Sequence, residues 1–179
     1  MAEAFSNSLT RAVGVVTTYS GSSVAAASTA ITVTAATGIG VSDLVDNTNY
    51  IAGTQVKQIA GTTIYTDRAS TNSATATSQI VEFLGVTTAY TSASGTKSIL
   101  IGGTFANNTT SQVNLTVEVF DQSADTTVGI AQKIPVPTGS SFVISDAGKT
   151  LLESLDEVRV YSDSAGAIDV NLSILTGVS

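Results

Sequence analysis

Apolar and polar residues alternate along much of this chain with a period of two, the spacing of strands rather than helices. Residues 111–120, SQVNLTVEVF, show it most cleanly. Val113, Leu115, Val117 and Val119 fall on one face, and Asn114, Thr116, Glu118 and Phe120 on the other. Residues 167–175, AIDVNLSIL, repeat the pattern with Ile168, Val170, Leu172 and Ile174. Further strands are expected over 12–19, 29–34, 54–59, 62–66, 75–83, 97–106, 127–134, 142–144 and 156–162, all rich in β-branched and aromatic residues. The stretch 52–67, AGTQVKQIAGTTIYTD, says nearly the same phrase twice at an offset of eight. With Ala60-Gly61 between its halves it predicts a hairpin, since Gly supplies the positive φ of a tight reversal. Hairpins are likewise expected for 97–106 with 111–120, and for 156–162 with 167–175 through 163–166. Ile134-Pro135-Val136-Pro137 is expected at a sheet edge or in a connection, because Pro cannot donate to an interior ladder. The single helical candidate is 146–155, DAGKTLLESL, with Asp146 as N-cap and a loop as its alternative.

Many short strands with turn signals between them predict an all-β fold, a sandwich or barrel rather than βαβ units. The expected organisation is an N-terminal arm (1–11), a small N-terminal β domain (12–88) and a C-terminal antiparallel β-sandwich (89–179). GVTTAYTSASGT (85–96) is read as the polar connector. The strand count of the last part is that of an immunoglobulin-like sandwich, in architecture alone, because the Cys–Trp–Cys signature is missing.

Composition narrows the chemistry. Charged residues make up 12% of the 179 positions, against roughly 25% in ordinary soluble domains. Surface polarity must come from Ser, Thr, Asn and Gln. The net charge is −7, and Arg11, Lys57, Arg68, Lys97, Lys133, Lys149 and Arg159 are scattered singly. Nucleic-acid binding and attraction to anionic membranes both need clustered cations, so neither is expected. No apolar run approaches the ~20 residues that span a bilayer. The opening MAEAFSNSLTR lacks the pattern of a secretory signal, so the protein is expected to be made in a cytoplasm.

There is no Cys and no His. That removes the thiol nucleophile, the commonest general base and the commonest metal ligand. The remaining carboxylate groupings have ordinary explanations. Asp43 and Asp46 suit turn capping better than acid–base work. Asp121 and Asp125 lack the spacing of an EF-hand loop and suit a hairpin turn; Asp156 and Glu157 follow the same logic. Gly38-Ile39-Gly40 lacks the third glycine of a dinucleotide loop. Gly139-Ser140-Ser141 lacks the frame of a nucleophile elbow. The Asn-x-Ser/Thr triplets at Asn107, Asn108, Asn114 and Asn171 reflect an Asn/Thr-rich composition. No catalytic residue, cofactor or metal is expected, and the chain is read as a non-enzyme.

Phe5 and Leu9 are the candidate partner-binding residues. A segment ahead of the first strand frays unless something holds it. Either the two apolar residues anchor it in a neighbour's groove, or the arm folds back on its own domain.

Two stretches resemble known modules. ATGIGVSDLVDNTNYIAGTQVKQIAGTTIYTDRAST resembles a small β module recurrent in phage and bacterial surface proteins. KSILIGGTFANNTTSQVNLTVEVFDQSADTTVGIAQKIPVPTGSSFVISDAGKTLLESLDEVRVYSDSAGAIDVNLSIL is similar to a β-sandwich of virion structural proteins of tailed phages, particularly marine phages infecting cyanobacteria. The marks are the IPVPTGSSF turn, the DEVRVYS strand and the closing VNLSIL strand. The resemblance implies a virion component present in many copies, with a capsid decoration or cement protein favoured. Its partners would then be the major capsid protein, other virion proteins and copies of itself, as a homo-oligomer in the particle. A neck, tail or fibre-base protein is the nearest alternative, and a carbohydrate-binding or adhesin module the competing class.

Overall fold

The computed structural model describes residues 3–145 and 149–178. Every regular element among them is a strand, so the chain is all-β. It divides into two compact units: Val15–Val86 form one, and the residues up to Gly14 together with those from Thr87 onward form the other. The segment expected as an N-terminal arm folds back on its own unit, from Ala4 as strand β1 (Ala4–Val13). Its backbone pairs antiparallel with the last strand of the chain, which satisfies amide groups that a frayed arm would leave to water.

The first unit holds β2 (Val15–Val24), β3 (Ala30–Thr32), β4 (Leu44–Asp46), β5 (Val56–Ala60), β6 (Thr63–Thr66) and β7 (Ala76–Gly85). They lie in the order β4-β7-β2-β3-β6-β5. The two end strands then meet. Leu44 bridges Gln55, and the amides of Val45 and Val56 donate to Thr54 and Asp43 carbonyls at 2.8 and 2.9 Å. The sheet thus closes into a barrel, which leaves no long unpaired edge. Val24, Ile31, Val45, Val56, Ile64, Val81 and Phe83 fill it, with Tyr19 edge-on to Phe83 at 6.5 Å. The doubled phrase is the β5–β6 hairpin: Ala60 faces Thr63, and Gly61 takes φ +61° at the first turn position. A positive φ there marks a type II′ reversal, whose twist matches that of the strands.

The second unit adds β8 (Thr87–Thr91), β9 (Lys97–Asn107), β10 (Val113–Asp121), β11 (Thr126–Val136), β12 (Ser141–Ile144), β13 (Thr150–Leu152), β14 (Glu157–Ser162) and β15 (Ile168–Val178). One sheet runs β1-β15-β9-β12, with β13 beside β12 along β9; the other runs β11-β10-β14-β8. Leu100, Phe105, Leu115, Val117, Val158, Val160, Ile168, Leu172 and Ile174 pack between them, all at 0% exposure. The alternations of β10 and β15 are observed as read, with their aliphatic positions turned inward.

Several connections differ from expectation. β9 and β10 are not a hairpin, nor are β14 and β15; the members of each pair lie in opposite sheets. Alternation tells which face of a strand is buried, and a hairpin and a crossing between sheets bury the same face. Asn107 helps turn the first crossing: its buried amide donates to Ser111 and Val136 carbonyls at 2.7 and 2.9 Å. In an immunoglobulin domain the last two strands share a sheet, so the likeness here is to a two-sheet sandwich. The stretch 85–96 is not a plain connector, since β8 occupies its middle. Of the helical candidate, 146–148 lie outside the described residues and Thr150–Leu152 is β13, paired with β9. Pro135 lies in β11, at the end of its sheet, as its missing donor requires.

Candidate functional site: the outward face of one sheet

Strand β1 carries an alternation opposite to that of its neighbours. Ser6, Ser8 and Thr10 stand opposite Ile174, Leu172 and Val170, the inward residues of β15. The hydroxyls of Ser8 and Thr10 point toward the sandwich interior and donate to the Ala89 carbonyl of β8 at 2.7 and 3.5 Å. Phe5 and Leu9, on the other parity, point outward and are 77% and 73% exposed. A one-residue slip would exchange the two faces and bury both apolar side chains. The chain does not take it. Val13 is the single buried residue of the strand, and Ala12 (φ +56°) bulges beside it with its amide donating to Asp169 Oδ1 at 2.9 Å. The bulge and the hydroxyl bonds hold the register that keeps Phe5 and Leu9 in solvent.

The rest of this face is built around them. β9 and β15 supply a floor of small residues: Gly102, Thr104 and Ala106 on one strand, Asn171 and Ser173 on the other. Exposed Val143 on β12 and Leu151 on β13 rise along the far edge. Shallow concavities run across the floor. One of about 350 Å³ is lined by Leu9, Arg11, Thr104, Ala106, Asp169 and Asn171; others touch Gly102, Val143 and Ser173, and Phe5, Asn7 and Ile101. The charged residues of the five strands are Arg11, Lys97 and Asp169, and Lys97 is paired with Glu153 at 3.1 Å. The face is a nearly uncharged trough with apolar rims.

Of the carboxylates singled out in the sequence, Asp43, Asp121, Asp156 and Glu157 do structural work, and they do not converge. Asp43 and Asp46 are three apart on extended chain, hence on opposite faces. Asp43 Oδ2 accepts the Gly40 amide at 2.7 Å. Burial pushes the Asp43 carboxyl above its ordinary value, against the opposing bonds from the Gly40 and Val86 amides. Asp121 Oδ1 accepts from the Ser123 and Ala124 amides at 2.9 Å each and from the Ser123 hydroxyl at 2.8 Å. These bonds, the Ala124 amide foremost, hold it below the ordinary range. Asp156, 4% exposed, clips two loops by accepting the Gln122 and Glu153 amides at 3.1 and 2.8 Å. Glu157 bonds Arg159 at 2.7 Å, whose guanidinium lies 3.7 Å over the Phe120 ring. Ser140 donates to Pro137 within a turn. Among the described residues no group of three or more acidic side chains is placed to hold a metal.

Asp43 gives a pH prediction. A carboxyl whose folded pKa is raised stabilises the fold below the unfolded value of 3.8 and loses that contribution as pH rises through the folded pKa. Asp43→Asn keeps an acceptor for Gly40 and removes the ionisation. Its stability relative to wild type is expected to improve from pH 3.5 toward 7. Asp43→Ala strands the Gly40 amide and is expected to cost about 1–3 kcal/mol at both ends. Denaturant midpoints across that range read both, and a flat difference between the Asn variant and wild type contradicts the assignment.

The floor residues were not anticipated from the sequence. What the sequence offers for this face is the phrase FSNSLTR on β1, with Phe5 and Leu9 on one parity and Ser6, Ser8 and Thr10 on the other. Comparison with known proteins adds nothing to this picture: no family model, curated protein or solved structure matches the chain.

Proposed function

We propose that this protein is a structural component of a phage virion, a capsid decoration or cement protein that works by packing sheet surfaces against protein neighbours. The observation that carries the reading is the inverted alternation of β1. A strand that turns its hydroxyls inward and its Phe and Leu outward loses burial worth ~1.5–3 kcal/mol per side chain. That loss is recovered on contact with another surface. Repeated over many copies, such contacts stabilise an assembled shell by mass action. The scarcity of ionisable and nucleophilic side chains accords with a role that transforms no substrate. The adhesin reading is less well supported. Its sugar platforms need grouped exposed aromatics, whereas the exposed ones here, Phe5 and Tyr65, belong to different units.

The test uses assembled particles and substitutions rather than truncation, because deleting β1 also strips the edge of its sheet. Purified wild-type protein is expected to add saturably to undecorated shells. The double variant Phe5→Ser/Leu9→Ser is expected to stay folded, within ~0.5 kcal/mol of wild type, and to add at least tenfold more weakly. Absence of the protein from purified particles, or equal addition by the double variant, contradicts the proposal.

A further inference from the structure

We infer that the outward trough binds the same trough of a second copy, so that two chains pack face to face about a two-fold axis. This rests on the assembly reading above and names the partner of that same surface. Three observations select a second copy.

The first is shape. In the pairing register Phe5, Leu175 and Ile99 form one row across the sheet, and Leu9, Asn171 and Thr104 form another. A two-fold axis running along β15 keeps each row at its own level and exchanges β1 with β9. Leu9 of each copy then sits over the Thr104–Ala106 floor of the other, and Phe5 over Ile99 and Ile101. Leu9 meets the small-residue floor and Phe5 meets the apolar Ile99–Ile101 pair, each reciprocally, the condition for an isologous contact.

The second is charge. The protein carries −7, so an unlike partner drawn by charge would be basic and would seat on an acidic patch. This face instead balances Arg11 and Lys97 against Asp169 and Glu153, so the contact itself adds no net charge to that of two chains.

The third is area. The eleven residues of β15 at ~3.3 Å each, with the three overlapping rows of β1, β15 and β9 ~4.8 Å apart, outline roughly 520 Å². Two such faces bury about 1,050 Å², which just clears the roughly 1,000 Å² expected of a specific interface.

The absence of Cys from the chain makes the geometry directly testable. Wild-type protein is expected to show a two-chain mass at micromolar concentration by sedimentation velocity. Thr104→Lys and Leu9→Ser, with spectra like wild type, are expected to show one-chain mass. Leu9→Cys mixed with Thr104→Cys is expected to form an oxidised cross-link at least tenfold faster than either variant alone. A one-chain mass for wild type at every concentration overturns the inference; so does a two-chain mass without the mixed cross-link, since the contact then uses another face. Wild-type protein that stays single yet adds to shells through Phe5 and Leu9 sinks this inference alone and leaves the virion assignment standing. Failure to enter particles, with the dimer intact, does the reverse.

Discussion

Phe105→Ala is expected to destabilise the sandwich by about 3–5 kcal/mol, while Phe5→Ala on the same sheet changes stability by less than ~0.5 kcal/mol. Both are phenylalanines in antiparallel strands, one strand apart from each other across β15. Phe105 stands opposite Val170 on the inward face and is fully buried, its ring 6.1 Å from that of Phe142. Removing it leaves a cavity that two hydrogen-bonded sheets cannot collapse to fill. Phe5 has no core contacts to lose. Denaturant titration of the two variants, at a concentration low enough to keep the protein single-chain, reads the contrast. Comparable losses would mean that the outward face is not outward, and both assembly proposals would fall with it.

Gly14→Val is expected to cost about 3 kcal/mol or more, through a clash added to backbone strain. Gly14 directly follows β1 with φ +114°, and a Cβ there would lie 2.5 Å from the Ser164 carbonyl oxygen and 2.9 Å from Ser162 Cβ. The first of these is backbone and has little room to yield. The Gly14 and Val13 carbonyls accept the amides of Gly166 and Ala167 at 2.7 and 2.9 Å. A shift of Gly14 therefore unzips the point where β1 is fastened to the turn before β15. Gly61→Ala is the control. It shares a positive φ but has nothing within 4 Å of its Cβ, so only the left-handed conformation is charged to it, ~1–2 kcal/mol. Equal costs at the two sites, in the same titration, would show that the close approach at Gly14 is not real.

The sequence made the buried faces legible but not the connections. The alternations in β10 and β15 gave the inward residues correctly, because a strand between water and core must alternate. They were silent on whether 107–111 and 163–166 fold strands back or carry them across, since both leave the same side chains buried. The β5–β6 turn was readable because Gly61 is a local requirement. β13 was misread as part of a helix or loop because three residues are too few for periodicity to speak. For the candidate site two residues, Phe5 and Leu9, are legible in the sequence, which leaves open whether a neighbour or their own domain holds them. The structure does the second while keeping both exposed. The floor of Gly102, Thr104, Ala106, Asn171 and Ser173 was invisible because these residues gain meaning only once β9 and β15 are side by side. Asp43, Asp121 and Asp156 were readable as loop chemistry, though their amide partners, some more than thirty residues away, were not.

The central claim is that the outward face of the β1–β15–β9 sheet is covered when the protein does its work. Hydroxyl-radical labelling of free protein, diluted until it is single-chain, and of particle-bound protein tests it side chain by side chain. Phe5, Leu9, Val143 and Leu151 are expected to lose most of their reactivity on assembly. Val128, 63% exposed on the edge strand of the other sheet, is expected to keep its own. Unchanged labelling of Phe5 and Leu9 in the assembled state would contradict the account.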